Sequence, residues 1–343
     1  MKIFIVGDHR TGTGPANVTK EYIRCLDKEA LYQKMTGKIA RVPELFFKII
    51  RSDVILFSGY SAQNVLGMKI ASIFNKKTAY LVHGAITHEN RINQNENEKM
   101  SQVEEETLRR ADLLLGVSEK FSNWLKEEYP QYIKKIDYVT NGVDFDYLRN
   151  LCGEESNIAS DLSNNRKKNQ ILSVGGGMPR KMILNICKAI EIYNENVDDS
   201  DKLKLYVIGA GGIDTEKIKG YSFVEYLGMV SSDEKAKLYK ESYIFIQNSS
   251  FETFGLAVFE ALISGSNILT SKVAGALDLL KDARDEDIIN DYSNPLEIAD
   301  KIRYLMDNPN VDRLKAMINE KDASWESRTM ELKNKLEKLM LNE

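Results

Sequence analysis

Short apolar runs rich in β-branched and aromatic residues recur along this chain, each followed by glycine or polar residues and then by a stretch of helical spacing. That alternation constrains the fold strongly. Parallel neighbours need a crossover, normally a helix, so the pattern predicts parallel sheets with helices on both faces, an α/β class. The expected strands of the first half are Lys2–Val6, Asp53–Phe57, Thr78–Val82, Asp112–Val117 and Ile136–Val139. Helices are expected from about Pro15 to Leu26, over Pro43–Arg51, from about Ser61 to Phe74 and from about Ser101 to Arg110. A second series has strands Gln170–Val174, Leu203–Ile208, Phe223–Tyr226, Tyr243–Ile246, Asn267–Thr270 and Ile288–Asn290, and closes with helices Pro295–Met306, Val311–Ile318 and Trp325–Leu341.

At 343 residues the chain is longer than one hydrophobic core usually organises. The polar, aperiodic segment Cys152–Lys168 is the natural boundary, giving domains over 1–152 and 153–324 and a terminal helix over 325–343. A net charge of −4 argues against a general nucleic-acid binder. The halves differ, with a net +3 over residues 1–150 and −7 over 151–343. Cys25, Cys152 and Cys187 have neither the number nor the spacing of a disulfide framework or zinc site, and no run is apolar enough for a signal sequence or membrane span. Both features point to a reducing cytosol.

In open parallel sheets, ligands sit beyond the C-terminal ends of the strands. Gly12 and Gly14, His83, Asn141, Gly175–Lys181, Gly209–Gly212 and Ser249–Leu256 all follow expected strands. The stretch Ile246–Leu269 is the richest. It reads strand, polar loop, helix and strand, with Glu252 in the loop, Glu260 in the helix and Gly265 placed as a C-cap. A helix starting near Phe254 to Leu256 aims free N–H groups and a positive dipole end at the loop mouth, where oxygen-rich ligands bind. Taken alone, Glu252 reads as a solvated loop residue and Glu260 as a surface helix residue, and only corroboration elsewhere overturns that. Arg180 and Lys181 after Gly175-Gly176-Gly177 suit a pyrophosphate, the former as a planar fork and the latter as a point charge. Gly209-Ala210-Gly211-Gly212 lacks the last glycine of a dinucleotide fingerprint, Asp214 standing there, and Gly12-Thr13-Gly14-Pro15 completes no P-loop. Asp144-Phe145-Asp146 has the D-x-D form of some cation sites, but so short a pattern recurs by chance.

Together these pieces resemble a known family. In family order they are the glycine loop after the first strand, His83-Gly84, the run from Glu104 to Ser118, Asn141-Gly142-Val143-Asp144, Arg180-Lys181 and the segment Glu252–Ala261. The chain is similar to retaining glycosyltransferases of GT-B fold in family four, the group 1 glycosyltransferases. The resemblance implies two Rossmann-like doubly wound domains facing across a cleft, with the C-terminal helix crossing back to the first. It implies that Glu260 binds ribose hydroxyls, Glu252 contacts the donor sugar and Arg180 and Lys181 neutralise the diphosphate without a metal. Backbone N–H groups of Phe254, Gly255 and Leu256 would hold sugar or phosphate oxygens. Gly12, Gly14, Gly177, Gly209 and Met229 would lie along the donor, and His83 beside its sugar.

No cofactor is implied, since the nucleotide sugar is a substrate, and retention by same-face attack needs no protein nucleophile. Gly176, Met182, Asn267 and Leu277-Asp278 depart from the usual family residues and bear on donor choice. The eight basic and two acidic residues within Lys34–Lys77, beside Phe46, Phe47, Ile49 and Ile50, form either an ordinary core helix or a face for an anionic membrane and a lipid-linked saccharide acceptor. Bacterial surface-polysaccharide synthesis, capsule included, is the expected setting. A silent nucleotide-sugar-binding subunit and a GT-B epimerase share the same fold and stay open as alternatives.

Overall fold

The computed structural model describes residues 1–35, 37, 39–152 and 166–341, so most of the expected boundary segment 152–168 lies outside the described residues. The chain divides into two units, Met1–Gly142 with Lys321–Glu343, and Val143–Glu320.

The first unit contains β1 (Ile3–Val6), α1 (Gly14–Leu26), β2 (Ala30–Tyr32), α2 (Arg41–Arg51), β3 (Val54–Ser58), α3 (Ala62–Ile73), β4 (Lys77–Val82), α4 (Ile86–Ile92), α5 (Glu98–Arg110), β5 (Leu113–Gly116), α6 (Glu119–Glu128) and β6 (Ile136–Tyr138). Its sheet is parallel in the order β2-β1-β3-β4-β5-β6. Strands β1 and β3 are buried on both faces, as a sheet covered by helices requires. Ser61 and Ser118 start α3 and α6 by accepting from the N–H groups of Asn64 and Phe121 at 3.1 Å.

The second unit contains α7 (Phe145–Cys152), β7 (Lys167–Val174), α8 (Ile183–Asn194), β8 (Lys204–Ile208), α9 (Thr215–Lys219), β9 (Val224–Gly228), α10 (Ser232–Glu241), β10 (Ser242–Gln247), α11 (Leu256–Ile263), β11 (Asn267–Ser271), β12 (Ile288–Ile289), α12 (Pro295–Asp307) and α13 (Val311–Met317). The sheet order is β12-β11-β10-β7-β8-β9, again parallel. Counted from β7, that is the classic dinucleotide-fold order, whose switch point lies between β7 and β10. Ile171, Leu205, Val207, Ile244, Ile246, Leu269 and Ile289 are the sheet's share of a fully buried core, covered among others by Ile186 and Ile190 of α8 and Ile298 and Ile302 of α12. Truncating one such isoleucine to alanine costs about 2–5 kcal/mol.

Helix α7 makes its contacts with α10 and α11, so the changeover between units falls after Gly142 and ahead of the expected residue 152. After α14 (Glu320–Ala323), helix α15 (Trp325–Leu341) belongs to the first unit. Trp325 meets the Tyr22 ring of α1 edge-on at 5.4 Å, and Lys333 and Lys335 pair with Glu29 and Asp137 at 2.8 and 2.5 Å. A Cβ on Gly142 would lie 2.6 Å from the Trp325 indole, so the glycine makes room for the helix start.

Among the strands and α-helices described before Gly142, three fall where the sequence pattern predicts none. Strand β2 is three half-buried residues, too short to show alternation. Helix α4 begins in the loop after β4, its first N–H groups held by a buried carboxylate: Ile86 and Thr87 each donate to Glu104 at 2.8 Å. Helix α6 carries its signal in Ser118, Phe121 and Leu125, which the flanking charges mask.

Candidate active site

At the switch point of the second unit, the loops leaving β7 and β10 meet. Ser250 N–H donates to the Arg180 carbonyl at 2.8 Å, which ties one loop to the other. Pro179–Lys181 form one 3-10 turn, and Met182 then takes a left-handed φ of 49° to start α8. A Cβ on Gly175 would come within 2.4 Å of Lys181 Cγ, so this glycine leaves space for the lysine stem to turn inward. Lys181 Nζ then reaches Glu252 Oε2 at 2.5 Å, with 13% and 11% of the two side chains exposed. Gln247 Nε2 donates to the same oxygen at 2.6 Å. Burial disfavours the charged form of Glu252. The charges of Lys181 and Arg180 outweigh it, with the bonds from Lys181 and Gln247, and hold the carboxyl below the usual glutamate range. The Arg180 guanidinium also lies on the Phe251 carbonyl at 3.4 Å.

Gly255 precedes α11 in the left-handed region at φ 94°, and a Cβ there would sit 2.8 Å from Gln247 Oε1. The helix therefore starts hard against the amide that holds Glu252. The first N–H groups of a helix lack an intrahelical acceptor, and here that of Val258 is taken up by the Gly255 carbonyl at 3.0 Å. Phe254 is buried, stacks on Phe259 at 5.7 Å and has its carbonyl occupied by Ala276 N–H at 2.6 Å.

Glu260 lies further along α11. Lys235 Nζ donates to one of its oxygens at 2.8 Å and Tyr239 OH to the other at 2.9 Å. Burial first, and then the Glu260 charge, hold the Tyr239 phenol protonated well above its ordinary range. Both donors come from α10, four residues apart on one helix face. Glu252 and Glu260 thus face different partners and do not form an acid–base pair.

The other glycine loop of this unit has a packing role. A Cβ on Gly176 would approach the Ala210 carbonyl oxygen to 1.9 Å, one on Gly177 would meet Thr215 Oγ1 at 2.1 Å, and one on Gly209 would lie 2.8 Å from Gly176 N. Packing between the two loops accounts for the missing side chains at Gly177 and Gly209 without a ligand. Met229 follows β9 and is 78% exposed. Asp144 accepts from Tyr147 N–H at 2.9 Å at the start of α7, and Asp146 pairs with Arg149 on the surface.

In the first unit the switch point lies between β1 and β3. Gly12 and Gly14 occupy the loop after β1, and Cβ atoms there would meet nothing within 4 Å, unlike Gly176 or Gly177. His83 Nε2 lies 2.8 Å from Ser58 Oγ, itself 2.8 Å from Thr19 Oγ1, which donates to the Pro15 carbonyl. Desolvation pushes the imidazole down to about 4, so it is neutral at physiological pH. A separate cavity of about 450 Å³ in this unit, lined by residues such as Thr87, Arg91 and Glu98, includes none of the candidates. Gln247, Lys235 and Tyr239 escape the sequence reading. Their signals are faint: a polar residue ending the apolar strand SYIFIQ, and an i,i+4 pair whose partner lies on another helix.

Two parallel six-stranded α/β units of this kind define the GT-B class. The chain overlays HepE of Anabaena, solved in complex with UDP, with a TM-score of 0.68 at 13% identity, covering 98% of this chain and 100% of that one. Residues 154–323, just under half of the chain, match the model of the family described as glycosyl transferases group 1. The chain is 26% identical over 155 residues to an uncharacterised glycosyltransferase of Methanocaldococcus jannaschii, covering 43% of this chain and 39% of that protein. It is 24% identical over 183 residues to the sulfoquinovosyl transferase of Arabidopsis thaliana, covering 49% of this chain and 36% of that one. The matches thus span well under half the length of either relative.

Proposed function

We propose that the chain is a retaining, metal-independent glycosyltransferase that moves a hexose-type sugar from a nucleotide sugar to a saccharide acceptor. The observation that carries this reading is the cluster at the second unit's switch point, where the buried Lys181–Glu252 pair meets the loop mouth before α11. The diphosphate is held by Arg180, Lys181 and the first N–H groups of α11, and the ribose by Glu260. Glu252 orients the sugar. The bond between the anomeric carbon and the phosphate oxygen breaks as the acceptor hydroxyl attacks from the same face, and its proton passes to the departing phosphate. Arg180 and Lys181 stabilise the charge that develops on that phosphate, and the two-carboxylate glycosidase scheme does not apply.

UDP is the preferred nucleotide, since HepE, of the same fold, was solved with UDP and with UDP and glucose. The acceptor is assigned to the first unit and to a lipid-linked saccharide in cell-surface glycan synthesis, capsule or exopolysaccharide, with the protein resting on the inner membrane face. What supports the lipid is α2. Its inner residues Leu45 and Ile49 are buried, whereas Val42, Phe46, Phe47 and Ile50 are exposed, and Phe46 stacks edge-on against the exposed Phe74 after α3. Ile49 therefore leaves the expected membrane face, and Lys48 is engaged by Glu44 at 2.6 Å. Arg51 and Lys69 remain as exposed cations. No helix among the described residues is long and apolar enough to cross a membrane.

A thermal-shift screen of UDP-, GDP-, ADP- and dTDP-sugars, followed by donor turnover in EDTA, tests the proposal. Stabilisation by one nucleotide family and turnover that survives chelation are expected. Binding without turnover by the isolated protein would point to a silent subunit, free sugar released from the donor with no acceptor to an epimerase, and loss of turnover in EDTA to a metal-dependent enzyme.

A further inference from the structure

We infer that Gln247 is a positioning residue, holding Glu252 so that its Oε1 faces the donor sugar even when Lys181 turns to the diphosphate. This rests on the donor reading above and adds a residue to it. Gln247 ends β10 with 3% of its surface exposed, and its register partner on β11 is the equally buried Thr270. An amide at such a position needs a reason, because a buried polar group without partners is destabilising. Its Nε2 is paired, donating to Glu252 Oε2 at 2.6 Å, while its Oε1 is buried with no hydrogen-bond partner among the described residues.

Lys181 donates to that same oxygen at 2.5 Å, so both donors converge on Oε2 and neither uses Oε1. The two donors differ in freedom. Lysine is a flexible stem carrying a point charge that a diphosphate also attracts. Gln247 is neutral, anchored on the strand and pressed on its other side by the backbone of Gly255, where even a Cβ would come within 2.8 Å of Oε1. One amide therefore fixes both the carboxylate and the place where α11 begins. When Lys181 is drawn to phosphate, Gln247 is the contact that keeps Glu252 in place.

Gln247→Met removes the donor and keeps the length of the side chain, and Gln247→Glu keeps its shape while replacing the donating nitrogen by oxygen. Calorimetric titration with UDP and with UDP-glucose separates the sugar's contribution from the nucleotide's. Wild-type protein is expected to bind UDP-glucose more tightly than UDP, and each variant to lose about tenfold of that preference while keeping its affinity for UDP. Adding Gln247→Met to Glu252→Ala should cost nothing further, since the amide acts through that carboxylate. The inference is overturned if a folded variant keeps the wild-type preference, if the double variant loses more than Glu252→Ala alone, or if wild-type protein shows no preference while binding UDP. Wild-type protein that binds none of the nucleotides or nucleotide sugars would overturn the donor reading itself. Circular dichroism decides which variant is folded and carries the test.

Discussion

Lys181 and Glu252 form an ion pair shielded from water by the loops after β7 and β10, with nitrogen and oxygen 2.5 Å apart. The pair answers two needs at once. Without a ligand it satisfies a buried carboxylate, and it stores beside the expected diphosphate position a cation whose present partner is only a side chain.

Lysine removal should therefore expose the carboxylate's burial. Lys181→Met is expected to lower stability by about 3 kcal/mol at neutral pH, as breaking one side of a buried pair does. The deficit should shrink on acidification. In the native protein the Glu252 carboxyl is held below its usual range, so its share of stability is present above the unfolded value and is lost as pH falls through the folded one. In the variant, burial without the lysine favours the protonated form, which acid supplies. Urea midpoints at pH 7 and pH 4 check this, and an equal deficit at both would refute it.

His83 makes the opposite chemical case with the same sign of slope. Its imidazole is held near 4 against an ordinary value near 6.5, so the unfolded chain binds the proton more readily. Stability is expected to fall as pH drops from about 6.5 towards 4. His83→Gln, which can still meet Ser58, should show a weaker slope across that window. Parallel slopes for the two proteins would remove the imidazole as its cause.

Glycines separate packing from access. Gly176→Ala places a Cβ against the Ala210 carbonyl at a left-handed φ of 57° and should destabilise by about 3 kcal/mol or more. Gly14→Ala meets open space at the first residue of α1, so its melting temperature should stay within a few degrees of wild type. If the loop after β1 admits substrate, donor turnover should still fall in Gly14→Ala. Unchanged turnover would make Gly14 a helix-start residue and nothing more.

The alternation of strands and helices, and the position of each glycine loop after a strand, were legible because they depend on local spacing and turn chemistry. Both sheets follow from that. The partners of the two glutamates were not legible, because Lys181 and Glu252 are far apart in sequence and Lys235 meets Glu260 from another helix. The packing of Gly177 and Gly209 against the neighbouring loop was not legible for the same reason: a glycine turn that admits a ligand and one that admits a second loop have the same local sequence. Helix α2 shows the limit of pattern reading, since its periodicity names an apolar face but does not say that Ile49 turns inward while Phe47 stays exposed.

That exposed face gives a membrane test. Phe47→Glu changes a side chain that is 58% exposed, so stability should shift by less than about 0.5 kcal/mol. Sedimentation with anionic liposomes at low salt should fall several-fold in the variant and in wild type at high salt. Wild-type protein that ignores anionic vesicles and uses a water-soluble acceptor equally well would remove the lipid from the proposal.

Glu260 offers the most direct test of donor binding. Glu260→Gln keeps an acceptor for Tyr239 and takes away the negative charge offered to ribose hydroxyls. Calorimetric titration of wild-type and variant protein with UDP is expected to show affinity weakened about tenfold, while Glu252→Ala leaves UDP affinity near wild type and lowers donor turnover instead. Equal UDP affinity in wild type and Glu260→Gln, both folded, would contradict the assignment of α11 as the nucleotide site.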